Sequence, residues 1–83
     1  MISKSQIKLI RSLQQKKYRS KLKLFVAEGP KVINELLTAK FKLHSLYVTV
    51  EDLFTDVNSE IISDEEISKI RFLKNANNSF AVF

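Results

Sequence analysis

Gly29 and Pro30 are the only glycine and the only proline in the chain, and they stand side by side. Ahead of them lies Leu24-Phe25-Val26-Ala27, a short apolar run bounded by charge, which suits a buried strand. Behind them Val32, Ile33, Leu36 and Leu37 form the stripe of an amphipathic helix that ends near Ala39, with Lys31, Asn34, Glu35 and Thr38 turned away. Gly29 accepts a positive φ or the close approach of another backbone. Pro30 suits the first helical position, where its missing N–H has no partner to lose. A strand-to-helix switch is therefore set at residues 28–30, and it fixes the phase of everything around it.

The other elements follow from periodicity and capping. Ser3 with Gln6 fits a capping box, and Ile7, Ile10 and Leu13 give the helix it opens one apolar face. Lys4, Lys8 and Arg11 recur on another face, where like charges cost roughly 0.2–0.5 kcal/mol per pair. That stripe is either a solvated lysine face or one turned toward phosphates. Residues 14–23 read as a polar loop or a frayed helix end. Residues 43–50, with Leu46, Tyr47, Val48 and Val50, favour a strand. Residues 51–57 read as a short acidic helix or turn whose Leu53, Phe54 and Val57 share one surface. Glu60-Ile61-Ile62 reads as a very short strand. Ser63 with Glu66 makes a second capping box, and Asp64, Glu65 and Glu66 in the first turn complement the helix dipole. Ile67, Ile70 and Leu73 form that helix's buried face. Asn75 to Ser79 is a turn-rich link, and Phe80-Ala81-Val82-Phe83 is a last strand. Alternation of this kind implies helices on both faces of a mainly parallel or mixed sheet.

The chain of 83 residues supports one modest core, since a domain of this size buries somewhat over ~60% of its unfolded surface. It has no cysteine, so disulfides and thiolate metal sites are excluded, and its single histidine, His44, makes a histidine metal site or a triad improbable. No apolar run approaches the ~20 residues of a membrane span. Met1-Ile2-Ser3-Lys4 lacks the apolar start of a signal peptide, which points by default to the cytoplasm. The charge is lopsided. Residues 1–23 carry eight of the fourteen Lys and Arg and no acid, whereas residues 24–83 carry six basic and nine acidic residues. A block of one sign attracts polyanions. The chain stops within an apolar run, which reads as one segment of a longer protein.

No catalytic constellation is present. One glycine cannot build a Gly-rich phosphate loop, and His44 reads as a surface or strand-edge residue. Glu28 is a lone carboxylate at a strand end, read as structural, capping the amides of the next helix. A binding surface is present. Lys16, Lys17, Arg19, Lys21 and Lys23 cluster around Tyr18. The cations neutralise phosphates, and the ring either stacks on an unpaired base or packs on the domain. The amides around Gly29-Pro30-Lys31 add a helix N-terminus suited to a phosphate, less the donor that proline removes.

Lys17-Tyr18-Arg19, then Leu24-Phe25-Val26-Ala27-Glu28-Gly29, then Lys31-Val32-Ile33-Asn34-Glu35-Leu36-Leu37 resemble the N-terminal substrate-binding domain of SpoU-type (TrmH-like) RNA 2′-O-ribose methyltransferases. The resemblance covers essentially all of residues 1–83, and the Phe-x-x-Glu-Gly block is its distinctive part. It implies an α/β fold, a three-layer α/β/α sandwich with a small mixed, mostly parallel four-stranded sheet, similar to ribosomal proteins that bind kink-turn RNA. It implies RNA contact at the start of the helix after the first strand, where Gly29, Lys31 and Asn34 stand. The RNA-binding set is thus Lys16, Lys17, Tyr18, Arg19, Lys21, Gly29, Lys31 and Asn34. The resemblance also implies a knotted methyltransferase domain after residue 83 that binds S-adenosylmethionine and methylates rRNA or tRNA, in a parent that is usually a homodimer. No cofactor, metal or catalytic residue is assigned to this segment, and no membrane partner.

Two loops depart from the family pattern. Lys21-Leu22-Lys23 stands where a glycine is frequent, and Asn77-Asn78-Ser79 where a proline-containing turn is frequent. Two other readings stay open from the residues: a stand-alone RNA-binding protein of the kink-turn class, and a protein-interaction domain whose basic segment only solubilises it.

Overall fold

A computed structural model of the chain describes residues 1–74 and 77–83. The first helix, α1 (Lys4–Ser12), opens on the expected capping box. Gln6 N–H donates to Ser3 Oγ, and Ser3 N–H donates to Gln6 Oε1. Ile10 and Leu13 are buried on its apolar face, with Ile7 packed beside them.

Residues 16–22, expected as loop or frayed end, form a second helix, α2 (Lys16–Leu22). Lysine, arginine and leucine are good helix formers, and neither glycine nor proline interrupts the segment. It escapes a periodicity test because it buries no residue and so needs no apolar stripe. It ends where Lys23 turns to φ 58.

Strand β1 (Val26–Glu28) starts two residues later than the apolar run suggests. Phe25 nevertheless exchanges both backbone hydrogen bonds with Phe83, at 2.9 and 2.8 Å. Gly29 then takes φ 94 and ψ 146, and Pro30 opens α3 (Pro30–Thr38) as expected. The end of α3 is a tight left-handed closure. Lys40 adopts φ 65, and Phe41 N–H reaches back to Leu36 O at 3.1 Å, the six-to-one bond that usually accompanies glycine.

Strand β2 (Ser45–Val48) follows. Residues 51–57 form turns rather than a helix, with Asp52 at φ 59. Their Leu53, Phe54 and Val57 do share one surface. Strand β3 (Glu60–Ile61) leads into α4 (Asp64–Ile70), whose Ser63–Glu66 capping box forms as expected. Arg71 is extended and ends α4. Leu73, expected on the buried face, therefore lies past the helix and is 54% exposed. Phe72 takes its place, edge-on to Phe80 at 5.8 Å. In the expected link, Asn75 and Ala76 lie outside the described residues. Ser79 already belongs to β4 (Ser79–Val82).

The sheet order is β1-β4-β2-β3. β1, β2 and β3 all run one way, and β4 alone runs the other. The sheet is mixed, as expected, but not mostly parallel: two of its three strand pairings are antiparallel. Because β4 inserts between β1 and β2, only β2 and β3 pair in parallel. β4 is buried along its whole length, with both edges paired.

Alternation along the strands splits the core in two. Phe80, Val82, Tyr47 and Val26 meet α1 and α4 on one face. Ala81, Phe83, Leu46 and Ala27 meet α3 and the 53–57 turn on the other. Complete burial of a side chain such as Phe80 or Ile33 contributes about 1.5–3 kcal/mol. The three-layer α/β/α arrangement is thereby accounted for. Glu66 accepts both Ser63 N–H and Ile2 N–H, while Arg11 Nε donates to Lys69 O. Hence α1 lies beside α4 and runs in the same direction.

Candidate nucleic-acid interface

The proposed binding residues fall at two ends of one strand. α2 leads into the amino end of β1, and Gly29 lies at its carboxyl end. Six residue steps of extended chain from Lys23 to Gly29 span roughly 20 Å.

At the carboxyl end, Gly29 is buried and its N–H donates to Ser79 O at 3.1 Å. A Cβ placed on Gly29 would sit 3.4 Å from Asn77 Oδ1. Asn78 O accepts Thr49 N–H at 3.0 Å. The start of α3 and the Asn77-Asn78 turn therefore share one rim. Among the described residues no side chain caps α3, so its first-turn amides, less proline's, have no side-chain acceptor there. Lys31 and Asn34 are exposed on the first turns, and both line a shallow hollow of about 490 Å³.

At the amino end, Lys16, Lys17 and Lys21 are exposed. Tyr18 is half-buried, and Lys17 Nζ lies 5.0 Å from its ring centroid. Arg19 is also half-buried. Its Nη1 donates to Leu13 O at 2.8 Å and to Gln14 O at 3.0 Å. Arg19, a member of the expected RNA-binding set, thus turns its guanidinium to the end of α1, where carbonyls lack helical partners.

Glu28 does not cap α3. Its Oε2 accepts Phe72 N–H at 2.9 Å and Leu73 N–H at 3.0 Å, pinning the segment after α4 to the end of β1. Lys4, Lys8 and Arg11 join Lys69 around a groove of about 540 Å³ on the α1–α4 face. Lys23, Lys42 and His44 meet around a smaller hollow at the amino end of the sheet. Sequence reasoning missed this last group because Lys23 and Lys42 are far apart in the chain, and only the strand order brings them together. Among the described residues, no group of three or more His, Cys, Asp and Glu side chains is placed to hold a metal, and no helix is long and apolar enough to cross a membrane.

Residues 4–80 match the MRM3-like substrate binding domain family. Solved structures of three larger proteins share the fold. A TrmH-family protein from Porphyromonas gingivalis, named as an RNA methyltransferase, is 29% identical with a TM-score of 0.82, covering 100% of this chain and 35% of its own. An rRNA methyltransferase from Sinorhizobium meliloti is 26% identical with a TM-score of 0.78, covering 100% and 34%. An RNA 2′-O ribose methyltransferase is 19% identical with a TM-score of 0.80, covering 96% and 34%, and shows likeness of fold. The chain thus spans about a third of the length of each. Among curated proteins, none matches.

Proposed function

The chain belongs to the MRM3-like substrate binding domain family, and from that premise we propose that it recognises RNA for an S-adenosylmethionine-dependent 2′-O-ribose methyltransferase. The match over residues 4–80 to a substrate-binding family carries the reading. The one-sign amino-terminal block supports it, because Lys and Arg that neutralise phosphates supply most sequence-independent affinity.

Lys16, Lys17, Tyr18 and Lys21 hold RNA from α2, and Gly29, Lys31 and Asn34 hold it from the start of α3. Arg19 serves by fixing α2 on α1. A knotted domain after residue 83 binds S-adenosylmethionine and transfers the methyl group to rRNA or tRNA. The parent is a cytoplasmic homodimer. No residue of this chain is assigned to the cofactor, since its single glycine provides no Gly-rich nucleotide loop.

Fluorescence anisotropy with a labelled rRNA hairpin, across a salt series, tests the reading. The chain should bind, with affinity falling linearly in log salt. Lys17→Glu should weaken binding severalfold at an unchanged melting temperature. Arg19→Ala should cost about 1 kcal/mol of stability and lower the melting temperature, because the carbonyls of Leu13 and Gln14 at the end of α1 lose their donor. Absence of salt-sensitive binding to any structured RNA would instead mark an interaction domain.

A further inference from the structure

We propose that the amino end of the sheet holds an unpaired RNA nucleotide, its phosphate between Lys23 and Lys42 and its base against Phe41. The inference rests on the RNA-binding reading above and names a site distinct from α2 and from the start of α3. A hollow of about 300 Å³ opens there, lined by Lys23, Leu24, Lys42, Leu43, His44 and Phe83. Two lysines line it from separate segments of the chain, and no Asp or Glu is among its lining residues. A concave site with cations of one sign and apolar walls concentrates an anion.

Aromatic surface adjoins it. Phe83 stacks on Phe25 at 5.8 Å, and Phe25 meets Phe41 edge to face at 5.8 Å. Phe41 remains 50% exposed. The reciprocal backbone bonds between Phe25 and Phe83 hold two of the three rings in place. A phosphate pocket beside an exposed ring is the pairing that single-stranded RNA requires, because splayed bases stack on aromatic side chains while the backbone is neutralised. An acidic peptide would use the lysines and leave the ring idle.

The backbone supplies an independent observation. Lys23 at φ 58 and Lys40 at φ 65 both occupy left-handed positions, a conformation that L side chains enter only at a cost and that glycine adopts freely. Lys23 lines the hollow, and Lys40 immediately precedes Phe41 in the chain. A left-handed residue is an ordinary way to end a helix, so what bears on a ligand role is that lysine rather than glycine fills that position at Lys23, beside the hollow.

The test uses a fluorescein-labelled dodecauridine and anisotropy at several salt concentrations. Lys23→Gly should hold or raise the melting temperature, since it relieves the left-handed residue, and yet weaken binding. Those opposite signs separate a ligand role from a structural one. With Lys42→Gln added, affinity should fall at least tenfold, and the log–log salt slope should drop by about 0.7 for each phosphate no longer neutralised. Phe41→Ala should weaken binding at least threefold with the slope unchanged. Unaltered affinity and slope in these variants, with the original chain binding, would overturn this site alone. If Lys17→Glu weakens binding in the same assay while these variants do not, α2 is the RNA-facing surface and the proposed site is overturned. Failure of the original chain to bind any RNA would overturn the general reading as well.

Discussion

Replacing Gly29 with alanine tests the switch on which the fold turns. At φ 94 and ψ 146 the residue lies near a backbone region that is essentially glycine's own, where another residue costs about 1–3 kcal/mol. Against this, alanine restricts the unfolded chain and returns about 0.4–1 kcal/mol. From the middle of each range the net loss is about 1–2 kcal/mol. For a domain of this size each kcal/mol moves the melting temperature by about 4–8 °C, so a fall of roughly 5–15 °C is expected. The new methyl would lie 3.4 Å from Asn77 Oδ1, ordinary contact rather than collision. The loss should then come from backbone strain, and Asn77→Ala should not rescue it. Thermal unfolding by circular dichroism of the two single variants and the double variant measures this directly, with a coupling within about 0.5 kcal/mol of zero. An unchanged melting temperature in Gly29→Ala would show that the turn does not require a left-handed residue. A rescue by Asn77→Ala would show that crowding, not strain, sets the need for glycine.

Two further substitutions probe the carboxylates that hold segments together. Glu28→Ala should cost about 1–2 kcal/mol, since two backbone amides at a half-exposed position lose a charged acceptor. Amide exchange should speed up selectively at Phe72 and Leu73, and unchanged protection there would refute the tie. Glu66 is held below the ordinary carboxylate pKa, chiefly by the hydrogen bond from Ser63 N–H, then by that from Ile2 N–H. A lowered folded pKa gives stability that is present at neutral pH and lost as pH falls through that value. The urea midpoint of the chain should therefore exceed that of Glu66→Gln at pH 7 and converge with it as the solution is acidified through the range where Glu66 takes up its proton. A constant gap between neutral and acid pH would show that the charge on Glu66 contributes nothing.

Much of the fold was legible because several local signals agreed. Both capping boxes, the Gly29-Pro30 switch and the alternation through Phe80 to Phe83 are short-range chemistry, and each formed where the residues placed it. α2 was not legible because an unburied helix leaves no stripe. Leu73 was assigned to a buried face because its spacing fits, but Arg71 leaves the helix first. Nor was the destination of Glu28 legible, since its partners lie 44 and 45 residues away.

The candidate site divides along the same line. Charge sign is a property of composition, so the basic block of residues 1–23 was visible at once. Which cations face together depends on strand order. Had β4 been an edge strand, β1 and β2 would be neighbours and the spacing of Lys23 and Lys42 would differ. With β4 between them, β1 and β2 both begin at the same end of the sheet, two strand spacings apart. Adjacent strands lie about 4.8 Å apart, so the two strand starts are separated by roughly 10 Å, a gap that two lysine side chains can close around a phosphate. Gly29 and Lys31 sit beyond the opposite end of β1, so no single phosphate reaches both groups. An RNA that uses both must run along the flank of the sheet, and variants at the two ends should then add in their effect on binding free energy, as sites more than about 10 Å apart usually do.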